Sequence, residues 1–304
     1  MPAPDAFPWR FIDAVAVRQD RAFFAACHDA ADTSDAAVSG VLSWDGGWTR
    51  KAFDLQAVSL CLLTESERAL LLLGRDGQVA CWGSDGFSSE RIESGEMPLI
   101  LREVRSIAGQ AYAVGMGRRV FRRDSAASWR AIDHDLRPEP SSDTGVGVGL
   151  NSIDGFAPDD LYAVGWQGEI WHHDGATWQR RNSPVALALN KVICAPDGSV
   201  YIVGQAGLIL QGRADHSRVI DNDLTRRTFT SACWFNGHLY VLSSHGLFRL
   251  EGERLRAMQT VPHLDTQQGR LSALSASEEA MWLISDRMAV VTVDGLTWRE
   301  VTYP

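Results

Sequence analysis

Histidine and aspartate stand side by side at two places where the chain could bind a metal. One group is His172-His173-Asp174 and the other is His28-Asp29. Because adjacent side chains of a strand face opposite ways, the two histidines of the first group are not expected to share an ion. The second group is a lone His-Asp pair, which is a weak signal. Calcium-loop, nucleophile-turn and phosphate-loop spacings are absent as well, so we predict neither a metal site nor a cofactor.

Cysteine usage points away from zinc and from disulfides. The five cysteines are far apart and form no Cys-x-x-Cys pair. They are Cys27, Cys61, Cys81, Cys194 and Cys233. Most lie in or beside apolar runs, so we expect them to be buried free thiols.

Composition limits the classes of partner. The chain has 304 residues, is 45% apolar and 22% charged, and carries a formal net charge of −9. This balance is typical of a globular protein, and it argues against nucleic-acid binding through a basic stripe. The N-terminal residues lack the basic-then-apolar pattern of a secretory signal, and the longest apolar run, residues 22–27, is too short for a membrane span. We expect a cytoplasmic protein that is a monomer on its own.

A short apolar segment that ends in glycine recurs along the chain. Its clearest copies are Tyr-Ala-Val-Gly at 112–115 and 162–165, and Tyr-Ile-Val-Gly at 201–204. The fourth residue of the seven copies falls at positions 26, 74, 115, 165, 204, 243 and 285. A second glycine follows three residues later in four copies, and a tryptophan follows 13 or 14 residues later in three. Features that keep one spacing predict seven structural repeats.

Each repeat consists of short runs of Val, Ile, Leu, Tyr and Trp separated by turn residues, which predicts four antiparallel strands. Repeats of about 40 residues with four strands are typical of propeller blades. We therefore predict an all-β, seven-bladed β-propeller of four-stranded antiparallel blades, forming one domain over residues 1–304. The predicted blades lie near 11–53, 57–94, 100–133, 150–183, 189–221, 229–260 and 270–302.

Two details of the blades can be predicted further. The glycine that ends each Tyr-Ala-Val-Gly segment is expected to permit a tight turn through positive φ. Trp178, 13 residues after its glycine, is expected to cover the core between two blades. The first and last blades both look complete, so the ring closes either by side-chain packing or by residues 8–11 adding to the last blade.

The turns Asp174-Gly175-Ala176-Thr177-Trp178 and Asp294-Gly295-Leu296-Thr297-Trp298 resemble the Asp-box repeats of sialidase-like propellers. The Asp-box places one residue between Asp and Gly, whereas here the two are adjacent. The Tyr-Ala-Val-Gly unit with its second glycine resembles the repeats of photosystem-II-assembly-factor-like and Trp-Asp-repeat-like propellers. The resemblance covers nearly the whole chain and implies a propeller fold.

A sialidase-like site would need several arginines that converge on a carboxylate. Arg10-Phe11-Ile12 is the string nearest to the Arg-Ile-Pro motif and lacks its proline. Arg118-Arg119 and Arg122-Arg123 are adjacent pairs, whose members should face opposite sides of a strand. We therefore expect no catalysis. A glycosidase, lyase or carbohydrate-binding propeller that uses Trp166 and Trp234 is the alternative.

In a propeller, the turns between second and third strands share one face with the links between blades. The unusually long loops 27–37 and 134–149 belong to this face, as do the links 221–228 and 257–269, and such loops suggest a binding surface. Their charge is mainly acidic. The predicted partner-binding residues are Asp29, Asp32, Asp35, Asp135, Glu139, Asp143, Trp166, Asp221 and Asp223.

We therefore predict a non-catalytic platform that binds another protein. An acidic propeller could neutralise a basic partner, as bacterial immunity proteins do with toxins, with its acidic loops steering association. Solvated loops without a partner are the other interpretation of the same residues. Nucleic acid and membranes are not expected partners.

Overall fold

Seven four-stranded antiparallel sheets make up the computed structural model, which describes residues 8–29, 38–64, 68–93, 95, 98–136, 148–213, 215–258, 261 and 270–303. In every sheet, or blade, the strands are paired in chain order. The described ranges contain no α-helix, and none of their helical turns has the length and apolar character that a membrane span requires. The predicted fold class is confirmed.

The strands are numbered β1 to β28, four to a blade. Blades 1 and 2 contain β1 to β8, which are Trp9–Arg18, Arg21–His28, Val38–Asp45, Trp48–Asp54, Ala57–Leu62, Leu70–Gly74, Gln78–Gly83 and Gly86–Arg91. Blades 3 and 4 contain β9 to β16, which are Leu101–Ile107, Gln110–Gly115, Arg119–Ser125, Ser128–Ala131, Leu150–Ala157, Asp160–Gly165, Ile170–His173 and Trp178–Arg181. Blades 5 to 7 contain β17 to β28, which are Leu189–Cys194, Val200–Gly204, Ile209–Arg213, His216–Val219, Phe229–Phe235, His238–Ser243, Gly246–Glu251, Arg254–Ala257, Leu271–Ala276, Met281–Ser285, Ala289–Thr292 and Arg299–Val301.

The first strand of each blade lies at the centre and contacts the first strands of both neighbours all round the ring. All seven of these strands have a register shift near the start of the strand. Beside that irregularity, several side chains accept an N–H from the next blade. Asp13 accepts from Leu60 at 3.1 Å, and Ser231 accepts from Leu274 at 3.1 Å. These bonds satisfy donors that the irregular strand leaves unpaired, and they join blade to blade.

Apolar side chains fill the space between neighbouring blades. The cluster between blades 3 and 4 joins Tyr112 and Val114 to Ile153 and Trp178. Trp178 is 4% exposed, and its indole N–H donates to the Ile132 carbonyl at 2.8 Å. It therefore covers the core between two blades, as its spacing predicts. A single blade could not bury both faces of its sheet, so neighbours are needed for stability.

The glycine that ends each Tyr-Ala-Val-Gly segment serves a different purpose from the predicted one. Gly165 has φ −164° and Gly204 has φ −167°, so both are extended. A Cβ on Gly165 would lie 1.8 Å from the carbonyl oxygen of Gly149. In these two copies positive φ belongs instead to the second glycine, since Gly168 and Gly207 both have φ 73°. The prediction of positive φ at the first glycine is wrong, because close backbone approach is what excludes a side chain there.

The ring closes without strand exchange between the chain ends. β1 pairs with β2 inside blade 1, and β28 pairs with β27 inside blade 7. Across the junction, the ring centroid of Trp282 lies 5.5 Å from that of Phe24, and its indole N–H donates to the Arg18 carbonyl at 3.0 Å. The Trp48 indole donates to the Thr302 carbonyl at 2.8 Å. Of the two modes of closure, side-chain packing is the one observed.

Candidate protein-binding face

The link face is the face that carries the links between blades and the turns between second and third strands. One hydrogen bond recurs there. The N–H of Trp166 donates to the Gly149 carbonyl at 3.1 Å, and the N–H of Gln205 donates to the Ala188 carbonyl at 3.0 Å. In each case the bond ties a turn to the entry of the same blade. The turns of this face are therefore fixed by the backbone.

Trp166 opens the 3-10 turn Trp166–Gly168 and is 38% exposed. Its carbonyl accepts the N–H of Glu169 at 3.1 Å. The buried Glu169 carboxylate accepts a hydrogen bond from Arg118 of blade 3 at 2.8 Å. The exposed indole thus stands on a turn that is tied to the neighbouring blade. An aromatic side chain held in this way can bind with little loss of conformational entropy.

Asp221 and Asp223 lie in the link between blades 5 and 6, and both are exposed. Asn222, between them, organises the link. Its side-chain oxygen accepts the N–H of Leu224 at 3.0 Å, and its amide donates to the Gly207 carbonyl at 2.9 Å. Within the described residues neither aspartate forms an ion pair, so both charges are available to a partner.

Asp29 and Asp135 differ from Asp221 and Asp223, because their carboxylates accept hydrogen bonds within the protein. The Asp29 carboxylate accepts two hydrogen bonds from Arg287, at 2.9 and 2.7 Å, and so joins blade 1 to blade 7. Asp135 accepts the backbone N–H of Trp178 at 3.3 Å. Trp178 opens β16, at the end of blade 4 opposite the turn that holds Trp166. Asp29 is therefore engaged in ring closure, and Asp135 is not brought next to Trp166.

The remaining predicted residues lie outside the described residues, as do most of their loops. They are Asp32, Asp35, Glu139 and Asp143. A binding role for them stays a prediction.

A groove of about 950 Å³ lies between the outer strands of blades 5 and 6. Seven large apolar side chains of the described residues are exposed, and three of these line the groove. They are Leu187 at 36%, Val219 at 45% and Leu224 at 50% exposure. The sequence patterns did not indicate them as binding residues. Only Leu224 had a local signal, since it is an apolar residue inside the polar link 221–228.

The central channel holds a cavity of about 310 Å³ crossed by ion pairs. Lys191 pairs with Glu103, and Arg105 binds both oxygens of Asp154 at 3.2 and 3.3 Å. Burial alone would raise the pKa of Glu103, but the charges of Lys191 and Arg105 lower it below its ordinary value. Burial raises the pKa of Asp13, against the opposing charge of Lys191. The charges of the channel are therefore largely satisfied from within.

Sequence reasoning missed this channel network, although it has a signal. Directly after the register shift near the start of the strand, six of the seven first strands carry a polar residue. These residues are Asp13, Ser59, Glu103, Ser152, Lys191 and Ser231, whereas blade 7 has Ala273. A polar side chain at one position of six inner strands predicts a polar channel.

The candidate metal and anion ligands do not converge. His172 contacts Asp160 at 2.8 Å, whereas the ring of His173 packs on Trp178 at 4.9 Å. Among the described residues, no group of three or more His, Cys, Asp or Glu side chains could hold a metal ion. The four arginines of blade 3 pair separately, for example Arg123 with Glu90. An arginine clamp of the sialidase kind is therefore not formed by them.

The five cysteines are free, and three are fully buried. Burial raises the pKa of Cys233, which lines the channel, to about 12. Burial likewise raises the pKa of Cys81 to about 12. Both are protonated thiols at neutral pH and hence poor nucleophiles. Trp234, the second aromatic of the carbohydrate alternative, lines the channel and stacks on Tyr201 at 5.6 Å.

Together these features define a seven-bladed β-propeller with a rigid, partly apolar link face and a channel crossed by ion pairs. No protein-family model matches the chain. The chain is similar to Immune protein Tsi7 of Pseudomonas aeruginosa, with 38% identity over 293 residues, or 93% of this chain and 94% of that protein. The chain belongs to the family of that protein.

Solved structures show the same fold at low identity. YCF48 from Cyanidioschyzon merolae has a TM-score of 0.69 and 12% identity, covering 95% of this chain and 96% of that one. Virginiamycin B lyase from Staphylococcus aureus has a TM-score of 0.66 and 9% identity, covering 81% and 84%. The predicted resemblance to this propeller superfamily is confirmed, and at such identities it concerns the fold alone.

Proposed function

We propose that this chain is an immunity-type protein, a non-catalytic platform that neutralises a toxin by binding it. The observation that carries the proposal is the 38% identity to Immune protein Tsi7 over nearly the full length of both chains. The immunity role predicted from the acidic loops agrees with the name of that relative. The rigid link face supplies a surface on which a protein could bind.

The partner is proposed to be basic, since the chain carries a formal net charge of −9. Opposite charge accelerates encounter and disfavours partners of like charge. We also propose that the chain acts as a single domain and a monomer in the cytoplasm, a compartment in which its five free cysteines would stay reduced.

Co-expression tests the proposal. Candidate toxins are the proteins encoded beside this gene, together with proteins captured on the tagged chain. Each is expressed alone and with the chain, and growth is recorded. We expect one candidate to stop growth alone, to permit growth with the chain, and to co-purify with it. The proposal fails if every toxic candidate still stops growth while the chain is soluble and folded.

A further inference from the structure

Exposed apolar side chains follow one another along part of the link face. Trp166 stands in a turn of blade 4, Leu187 in the link from blade 4 to blade 5, and Leu224 in the link from blade 5 to blade 6. The turn that holds Trp166 and the link that holds Leu187 approach each other through their backbones, because a Cβ on Gly168 would lie 2.0 Å from the Val185 carbonyl oxygen. The apolar side chains thus extend from blade 4 to the groove between blades 5 and 6.

The groove is lined by buried side chains and bordered by a link whose backbone is fixed by hydrogen bonds. The buried side chains of Leu208, Ile220 and Leu255 line it beneath the exposed Leu224. The backbone around Leu224 is fixed by Asn222, whose amide donates to the Gly207 and Thr225 carbonyls, each at 2.9 Å. An apolar side chain held on a rigid link beside an apolar depression has the character of an interface anchor.

The charges around the groove indicate what fits it. Arg218 is neutralised by Glu253, and Arg256 lies 3.6 Å from Glu251. In the described part of the chain, four lining residues have no ion pair. They are Asp221, Asp223, Arg226 and Arg254. A complementary surface therefore presents basic groups towards Asp221 and Asp223 and acidic groups towards Arg226 and Arg254.

We propose that the groove between blades 5 and 6, together with Trp166, is the surface that binds the toxin. The part of the toxin that it fits is an apolar segment with basic residues that face Asp221 and Asp223 and acidic groups that face Arg226 and Arg254. This inference rests on the proposed immunity function and adds the site and the chemistry of the partner. It places the binding surface at an apolar centre with a charged border, rather than at the acidic loops of the link face.

The chain offers a closely matched pair of variants. Leu224 is 50% exposed and Leu296 is 53% exposed. Each N–H donates to the side-chain oxygen two residues earlier, Asn222 at 3.0 Å and Asp294 at 2.7 Å. Leu296 lies in the turn between β27 and β28, on the face opposite the links. Leu224→Glu and Leu296→Glu therefore make the same chemical change in the same kind of turn on opposite faces.

The probe is the purified toxin that the co-expression experiment identifies. We expect Leu224→Glu to raise the dissociation constant by at least about 30-fold, as loss of an interface hot spot does. We expect Leu296→Glu to bind like the wild type, and both variants to melt like it. Changing Asp221 and Asp223 to Lys should lower the association rate by about tenfold.

Three other outcomes would overturn the groove proposal. If the wild type binds the toxin and Leu224→Glu binds equally well, the groove proposal is overturned and the immunity function stands. If light scattering shows a wild-type dimer that Leu224→Glu dissociates, the occupant is a second copy and the proposal is again overturned. If no toxin is found, the immunity function fails, and the groove proposal fails with it.

Discussion

Glu90 and Arg123 form an ion pair between blades 2 and 3, where their side chains are 3% and 5% exposed. The Trp129 indole also donates to Glu90, at 2.8 Å. Burial would raise the pKa of Glu90, but the hydrogen bonds from Arg123 and Trp129 hold it at about 2, below the ordinary value of 4.5. Both side chains are buried, so loss of the Glu90 charge would be costly and the pair is a sensitive test of blade packing.

We expect Glu90→Gln to lower the free energy of unfolding by about 3–5 kcal/mol at neutral pH, because it removes the negative charge that Glu90 places beside the buried Arg123. The stabilisation by ionised Glu90 is full above the unfolded pKa and is lost as the pH falls towards 2. The difference between variant and wild type should therefore shrink between pH 7 and about pH 3 in urea unfolding. Glu93→Gln, at an 80% exposed side chain, is the control. A difference that does not change with pH would contradict this account.

Two tryptophans with opposite environments give a second test at the residue scale. Trp178 is 4% exposed, and Trp166 is 38% exposed. Trp178→Ala should cost about 3–5 kcal/mol, since it opens the core between blades 3 and 4. Trp166→Ala should melt within about a degree or two of the wild type, since exposed positions rarely affect stability. Equal melting temperatures for the two variants would show that Trp178 does not stabilise the core between blades 3 and 4.

At the scale of the element, the blade depends on backbone contacts that only glycine allows. Gly165 approaches the Gly149 carbonyl so closely that a Cβ would lie 1.8 Å from its oxygen. The repeated glycine predicts that the structure excludes a side chain at this position. It does not distinguish positive φ from close approach, because both conditions exclude a side chain. Only the paths of two chain segments, brought together by the fold, decide between them.

Gly165→Ala should therefore destabilise the protein by at least about 1–3 kcal/mol, as overpacking does. Gly47→Ala is the control, because a Cβ at Gly47 would meet nothing within 4 Å and its φ is not positive. Thermal unfolding of both variants measures the effect. An unchanged midpoint for Gly165→Ala would mean that the link at Gly149 shifts without cost.

The strands themselves are readable from the sequence because each blade repeats local signals. Runs such as 161–164 are apolar on both sides, and Asp-Gly turns such as Asp174-Gly175 separate the strands that follow. The ion pair between Lys191 and Glu103 spans 88 residues and joins blade 5 to blade 3. Its partners could not be matched from sequence, since no local pattern encodes which blade faces which across the channel. The same holds for Leu187, Val219 and Leu224, which line one groove only in the folded ring.

At the scale of the whole molecule, the ring is closed by packing at blades 1 and 7, and it carries a formal net charge of −9. The sequence predicts that the first and last blades are both complete. This prediction is compatible with closure by side-chain packing, but it could not distinguish that mode from addition of residues 8–11 to the last blade. Closure depends on contacts such as the Trp48 indole with the Thr302 carbonyl, 254 residues apart. The closed ring keeps the turns of the link face at fixed distances, which is what a preformed binding surface requires.

Net charge gives a prediction for the whole molecule. Raising NaCl from about 0.05 M to about 0.5 M should slow association with the toxin by about tenfold or more, because salt screens long-range attraction. The dissociation rate should change little, since it depends on the apolar contacts of the groove. Surface plasmon resonance separates the two rates. Association that speeds up with salt would indicate an acidic partner and contradict the charge argument.

Neutralisation of a toxin by binding can be measured by a calorimetric titration of the purified toxin with the purified chain. We expect saturable binding at one chain per toxin, with the toxin's inhibition of growth relieved by the same chain in cells. A toxin whose effect the chain relieves in cells, but which gives no binding heat and no complex at any temperature tested, would contradict neutralisation by binding.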